Sequence, residues 1–253
     1  MARKPRKKSV NGIYHIIIRG INRQIIFEDK QDRYQYLKTL QRYKEISKYQ
    51  LYGYCLMDNH IHLLCKETDE SISNVVKRIS SSYVHWYNAK YERSGHLFEG
   101  RFKSETVEDV RYFLTVLRYI HQNPQKAGIS TTVFDCKWTS IREYIDSPNI
   151  VDTELALQLF SEDDKKVVQL FKKYMCECRE DSCLEVKSSV KVADQEVLAL
   201  MKSSGIPNGS TIQQMNKKDR DKILKQLKDI AWVSIRQVAR ITGISKSVVQ
   251  RAK

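Results

Sequence analysis

Leu51 to Cys65 consists of two apolar runs with only Asp58-Asn59 between them. A two-residue gap of turn formers closes an antiparallel hairpin and leaves no length for a helix. The second run carries His60 and His62, separated by Ile61. Side chains alternate faces along a strand, so both imidazoles point to one side. A sheet can offer two nitrogen ligands to one metal ion in this way.

The neighbouring segments build a fold around that hairpin. Gly12 to Arg19 is β-branched and apolar and reads as a strand. Asp29 to about Tyr49 reads as a helix, with Tyr34, Leu37, Leu40 and Tyr43 at three-residue steps. Ser71 or Ser73 caps a long helix to about Tyr91, with Val75, Val76, Ile79, Tyr83 and Trp86 on its apolar side. Leu97 to Val107 reads as a fourth strand. Val110, Phe113, Leu114 and Leu117 mark a further helix that should end near Asn123, because Pro124 disfavours helix in the residue before it. Tyr119 and Asn123 lie one turn apart on the flank of its apolar stripe. The order β-α-β-β-α-β, then a helix, predicts an α+β, ferredoxin-like (split βαβ) fold. Its antiparallel sheet would carry helices on one face and leave the other free for a ligand.

Ser147-Pro148-Asn149 closes this first unit, residues 1–148. Residues 149–202 read as an acidic helical connection without chemistry of its own. Turn formers from Ser203 to Thr211 form a flexible break that opens the last unit, residues 203–253. There, Ala239, Gly243 and Val249 have helix-turn-helix spacing. The second helix would turn Ser245, Lys246, Ser247, Gln250 and Arg251 toward DNA. An ordinary helical hairpin is the alternative.

Charge divides along the same lines: net +9 over residues 1–150, −4 over 151–200 and +9 over 201–253. Two basic blocks around an acidic one point to a polyanionic partner. No apolar run is long enough for a membrane span, and the basic start lacks the apolar stretch of a signal peptide. Six cysteines do not make a disulfide framework in a chain this long, and Cys176, Cys178 and Cys183 have poor zinc-site spacing. A reducing cytoplasm fits this usage.

Four stretches, in order, resemble the single-tyrosine HUH transposases, with the REP-associated tyrosine transposases as the nearest branch. They are Arg19-Gly-Ile-Asn-Arg23, Met57-Asp-Asn-His-Ile-His-Leu-Leu64, Gly95-His-Leu-Phe-Glu-Gly-Arg-Phe-Lys-Ser104 and Tyr119-Ile-His-Gln-Asn-Pro-Gln-Lys-Ala-Gly128. The branch usually has proline where this chain has Asp58, which adds a charge and leaves both histidines in place. The resemblance implies that residues 1–148 are a catalytic domain and that Tyr119 attacks a phosphodiester of single-stranded DNA. The product is a 5′-phosphotyrosine link and a free 3′-hydroxyl, which another strand's hydroxyl can reverse without ATP. His60, His62 and Asn123 would hold Mg²⁺ or Mn²⁺. Arg19, Arg23, Arg101, Lys103 and Lys126 would contact phosphate, and the basic residues 3–8 would form a mobile arm adding salt-dependent affinity. Hairpin DNA is the expected partner and the bacterial cytoplasm, at the nucleoid, the expected place. A monomer and a homodimer sharing its tyrosine helices both stay open.

Three rival readings stand beside this one. Tyr83 and Tyr87 offer a second tyrosine pair at four-residue spacing. The chain would otherwise be a non-catalytic DNA-binding regulator of transposase descent, or a hydrolase in which the histidines activate water. His15 and His85 read as structural, while His96 and His121 are within plausible reach of DNA.

Overall fold

Continuous burial along the first three strands, which are covered on both faces, sets the architecture. The computed structural model describes residues 6–161, 163–179, 181–185, 194–230 and 233–252. The strands are β1 (Ile13–Arg19), β2 (Gln50–Met57), β3 (His60–Lys66) and β4 (Lys103–Thr106), in the antiparallel order β2-β3-β1-β4. The fold is the expected α+β, ferredoxin-like one. His60 lies opposite Arg19 and Met57, and His62 opposite Ile17 and Cys55. Opposite residues of an antiparallel pair share a face, so His15, His60, His62 and Cys55 line one side of the sheet.

The other side is covered by α1 (Lys30–Ser47) and α2 (Ile72–Lys90), which pack on each other. Asp29 begins α1 by accepting a bond from the Asp32 amide at 3.1 Å, while the Asp32 side chain caps in return. Tyr36, Leu40, Ile79 and Tyr83 are buried there with Ile16, Ile18, Ile61 and Leu63. The histidine side is taken in part by α3 (Val110–Lys126), which packs chiefly on β2. The face that the sequence pattern left free thus receives the tyrosine helix itself.

Two elements differ from the sequence expectation. The fourth strand is Lys103–Thr106 only. Beyond Arg19 the chain leaves the sheet in a 3-10 turn at Ile21–Arg23, so residues 97–102 find no strand to pair with beyond a single Gly20–Phe98 bridge. They are tied instead by Ile21 N–H to the Leu97 carbonyl (2.8 Å) and Glu99 N–H to the Arg19 carbonyl (2.7 Å). Helix α3 runs through Pro124 to Lys126. The proline removes one donor near the helix end, and the last turn still closes through Ala127 N–H to the Asn123 carbonyl at 3.0 Å.

Helices α4 (Glu154–Gln158) and α5 (Asp164–Met175) pack on the first core through Ala156, Phe171 and Met175. A second core is built from α6 (Asp194–Ser203), α7 (Gly209–Gln214), α8 (Lys217–Asp229), α9 (Ile235–Thr242) and α10 (Lys246–Arg251). Val197, Ile212, Leu224, Val238, Ala239 and Val249 are buried in it, together with Ile25 from the first unit. The segment expected to be a flexible break is tightly held. Asn208 caps α7 by accepting from the Thr211 amide at 2.9 Å, and Gly209 packs on the backbone of α9. A β-carbon at Gly209 would lie 2.3 Å from the Ile241 carbonyl oxygen. Gly209→Ala should therefore cost about 1–3 kcal/mol, as overpacking of a closed core does, seen as a lower urea midpoint by circular dichroism.

Candidate active site

Strand pairing places His15 beside His62, although 47 residues separate them in sequence. Their facing nitrogens, His15 Nε2 and His62 Nδ1, are 3.0 Å apart and both rings are fully buried. His60 Nδ1 lies 2.7 Å from Asn59 Oδ1, an oxygen that can only accept, so His60 donates through Nδ1. The same tautomer at His62, with Nδ1–H donating to His15, leaves a lone pair on Nε2 of both histidines. His62 Nε2 is buried and has no hydrogen-bond partner among the described residues. One ring nitrogen engaged by a neighbour and the other free is the arrangement in which histidine ligates metal.

All three imidazoles stay neutral well below physiological pH. Burial, then Arg19, holds His60 at about 4. Burial, then His60 and His15, depresses His62 well below its ordinary value, and burial alone takes His15 to about 3. Neutral imidazole is the form that binds a cation. Among the described residues no cluster of three or more His, Cys, Asp or Glu side chains is suited to a metal. The donors available are two imidazoles, which fit a transition-type divalent ion when oxygen ligands complete the shell.

Helix α3 brings Tyr119 onto this surface. Its ring stands edge-on to both buried imidazoles, 5.7 Å from His62 and 5.9 Å from His15 between centroids. Tyr119 is only 4% exposed, more enclosed than a position on the flank of the stripe suggests, because α3 packs on both β2 and β3. Burial foremost, then Glu185, raises its phenol well above the ordinary value, while the Asn123 amide opposes the rise. Asn123, half-buried one turn on, also donates through Nδ2 to the Tyr119 carbonyl at 3.1 Å. The Lys126 ammonium lies 5.0 Å from the Tyr119 ring.

Other expected residues fall into distinct places. Arg19 sits across from His60 and pairs with Glu99. Asp58 is paired with Arg33 of α1, so the charge added at that position is balanced by the helix beside the turn. Arg23, Arg101 and Lys103 are exposed, Arg23 with a left-handed backbone (φ 62°). Lys246, Gln250 and Arg251 are exposed on α10, in the second core and away from the histidines' sheet. Tyr83 and Tyr87 are buried on the α1–α2 side, bonded to the Ile26 carbonyl (2.6 Å) and Glu28 (3.2 Å). His121 is buried against Ser140 at 2.8 Å, which removes it from the surface.

Two features were not legible in the sequence pattern. One is His15, whose neighbour is set by strand register alone. The other is the acidic stretch before residue 186, expected to lack chemistry. Asp181 grips the buried Arg118 of α3 through two bonds of 2.9 and 2.6 Å, Glu177 adds a third at 3.3 Å, and the guanidinium lies 4.3 Å from the Tyr174 ring. Leu184 N–H donates to Glu105 at 3.1 Å, which brings the same stretch beside Tyr119. An arginine in the middle of a helix's buried face was the available sign. Cys176, Cys178 and Cys183 are free thiols.

With this geometry in place, comparison with known proteins gives a class. The family model "Transposase IS200 like" matches residues 8–123 of this chain, the part that holds the sheet, its helices and the candidate site. Among solved structures, the fold is similar to that of a REP-associated tyrosine transposase bound to a REP hairpin, at 14% identity and a TM-score of 0.54, covering 76% of this chain and all of the other. A protein of Deinococcus radiodurans described as a transposase matches at 16% identity and a TM-score of 0.34, over 50% of this chain and 94% of its own, too distant to bear on the site. No curated protein matches the chain. Among the described residues no helix is long and apolar enough to cross a membrane.

The buried imidazoles make stability depend on pH with a definite sign. Unfolded histidine takes its proton near 6.5, whereas folded His15 and His121 resist until about 3 and His62 is likewise depressed. Stability should be level above pH ~7 and fall as the pH drops from ~6.5, by up to about 1.4 kcal/mol per pH unit for each such residue. Urea midpoints of the metal-free protein between pH ~8 and ~4.5 check this, and His121→Phe should flatten the fall.

Proposed function

We propose that the chain cleaves and rejoins single-stranded DNA through a 5′-phosphotyrosine intermediate on Tyr119, as expected of a transposase. The observation that carries this reading is the phenol of Tyr119 edge-on to His62, beside two imidazoles whose Nε2 atoms are uncommitted. The Tyr119 oxygen attacks the phosphorus and loses its proton, the bond from phosphorus to the 3′-oxygen breaks, and that oxygen leaves as a hydroxyl. Attack by another 3′-hydroxyl reverses the sequence and frees the tyrosine. No ATP enters, since the link conserves the phosphodiester bond.

His60, His62 and the side-chain oxygen of Asn123 would hold Mg²⁺ or Mn²⁺. When bound, such an ion draws charge from the scissile phosphate and its transition state. The protein's own contributions are separable. His15 and Asn59 orient the two imidazoles through their Nδ1 atoms. Lys126 places a positive charge near the phenol, which favours the phenolate during attack. Arg19, Arg23, Arg101 and Lys103 offer phosphate contacts around the sheet, and these fix the strand without reading its sequence. Tyr119 packs edge-on to the imidazoles of its own chain, the arrangement that action in cis requires.

Hairpin DNA is the substrate best in keeping with the fold, since the similar solved structure carries a REP hairpin. We assign α9, the Gly243 turn and α10 to a helix-turn-helix and residues 203–253 to a second DNA-binding unit. The support is the exposure of Lys246, Gln250 and Arg251 together with the burial of Ala239 and Val249. Residues 1–148 then form the catalytic unit, with residues 149–202 as the helical connection, whose last helix α6 packs into the second core.

Incubation with labelled hairpin DNA and Mn²⁺, followed by denaturing electrophoresis, should give a metal-dependent covalent adduct. Tyr119→Phe should abolish it, and His62→Ala should reduce it at least about a hundredfold, the scale of a lost contribution to transition-state charge. Tight binding without an adduct across many hairpins would favour the non-catalytic regulator, and an adduct retained by Tyr119→Phe would move the nucleophile elsewhere. Lys246→Ala with Arg251→Ala should lower hairpin affinity and reduce the slope of log affinity against log salt by about 2, one for each phosphate no longer neutralised, as titrations at several salt concentrations would show.

A further inference from the structure

The side of the sheet opposite α3 carries a feature that the reaction above does not use. Helix α2 and the Gly95–Phe102 segment enclose a groove of about 640 Å³, floored by Ile18 and Phe98. That is within the range of cavities that hold a small organic group. Its cations are Arg6, Lys77 and Arg101, and no carboxylate lines it among the described residues. Arg6, which the sequence placed in a mobile arm, is docked. Its guanidinium lies 3.6 Å from the centre of the Phe102 ring, and its Nη2 donates to the Phe102 carbonyl at 2.9 Å. Burial first, and Arg101 second, makes that guanidinium less comfortable as a cation. Residues 3–5 of the arm lie outside the described residues.

Two guanidinium groups facing one space without a counter-charge favour an anion between them, and phosphate suits their geometry. The other surfaces of the groove are a guanidinium plane, two half-buried phenylalanines and the polar side chains of Ser81 and Asn88. Nucleobases stack on guanidinium planes and aromatic rings. The position is also apt. Ile18 precedes Arg19, which pairs with His60 in the sheet, and Glu99 of the groove segment is bonded to Arg19 by backbone and side chain alike. The groove therefore begins at the strand end where the candidate site lies.

We infer that this groove seats an unpaired nucleotide of the DNA strand flanking the hairpin, its phosphate between Arg6 and Arg101 and its base against Arg6 and Phe98. The inference rests on the proposed action on single-stranded DNA and adds a place where the unpaired strand is held. It gives the charged corner at Arg19 and Glu99 a purpose as the passage from groove to site, with a strand rather than a free nucleotide as occupant, since only a strand spans both.

The test is fluorescence anisotropy in EDTA, with one hairpin carrying a short single-stranded flank and the same hairpin blunt. The wild-type protein should prefer the flanked hairpin. Ser81→Trp fills the groove from the exposed side of α2. It should weaken the flanked hairpin about tenfold, the order of one base stack, and leave the blunt one and the thermal melt unchanged. Arg6→Glu should weaken the flanked hairpin more than the blunt one. Wild-type affinity of both variants for the flanked hairpin, equal losses on both hairpins, or displacement of the flank by micromolar deoxynucleoside monophosphate would overturn the groove assignment alone. A wild-type protein that binds neither hairpin would overturn the proposed function and this inference with it.

Discussion

The register of β3 against β1 and β2 is the constraint on which the rest depends. A slip of one residue would turn His60 and His62 under α1 and α2 and bring Ile61 and Leu63 to face Tyr119. Burial on both faces opposes that slip, because Ile16, Ile18, Ile61 and Leu63 are themselves buried on the α1–α2 side. The turn is fastened as well. Gly20 N–H donates to the Asn59 carbonyl at 2.9 Å, Ile26 N–H donates to the Asp58 carbonyl at 2.8 Å, and the Asp58 carboxylate pairs with Arg33. Asp58 thus acts locally, on the hairpin that carries the two histidines.

Placing neutral imidazoles and a phenol in that register works against stability. His15 Nδ1 and His62 Nε2 are buried without partners among the described residues, and an unmet buried polar group costs about 1–3 kcal/mol. An apolar side chain at position 15 would fill the same space without that penalty. What His15 supplies is a partner for His62 Nδ1, which fixes the ring's orientation and, with the His62 proton on Nδ1, leaves the Nε2 lone pair free. Departures from good packing of this kind are expected at functional sites, and the surrounding sheet supplies the stability that this exception consumes.

The hairpin, both long helices and the His60–His62 pair were legible because each is a short-range pattern: alternation in a strand, or three- and four-residue steps in a helix. The expectation failed where an apolar stretch had another use. Leu97, Phe98 and Phe102 look like strand residues, yet they cover the edge of α2 and line a groove, since β1 ends before they could pair. Long-range partners were out of reach for a different reason. His15 meets His62 only after β1 pairs with β3, and Arg118 meets Asp181 across 63 residues. Neither pairing leaves a periodic trace in the chain.

The junction between the two cores bears on how the proposed grips would work together. Ile25 belongs to the second core, although it lies only a short turn beyond the end of β1. Gly243, at the turn between α9 and α10, has a left-handed backbone (φ 67°), and a β-carbon there would fall 2.1 Å from Gln24 Oε1. Gln214 Nε2 reaches the carbonyl of Glu92, at 3.1 Å, just past the end of α2. The chain leaving β1 is thus held between the histidine hairpin and the helices that carry Lys246 and Arg251. Asn22 and Arg23 take left-handed backbone conformations at this point, a cost of about 1–3 kcal/mol each that persists only where surrounding contacts enforce it. A DNA contact on α10 would then stand at a fixed distance from Tyr119, set by packing rather than by a linker, so the second unit would select where along a strand the tyrosine acts as well as adding affinity.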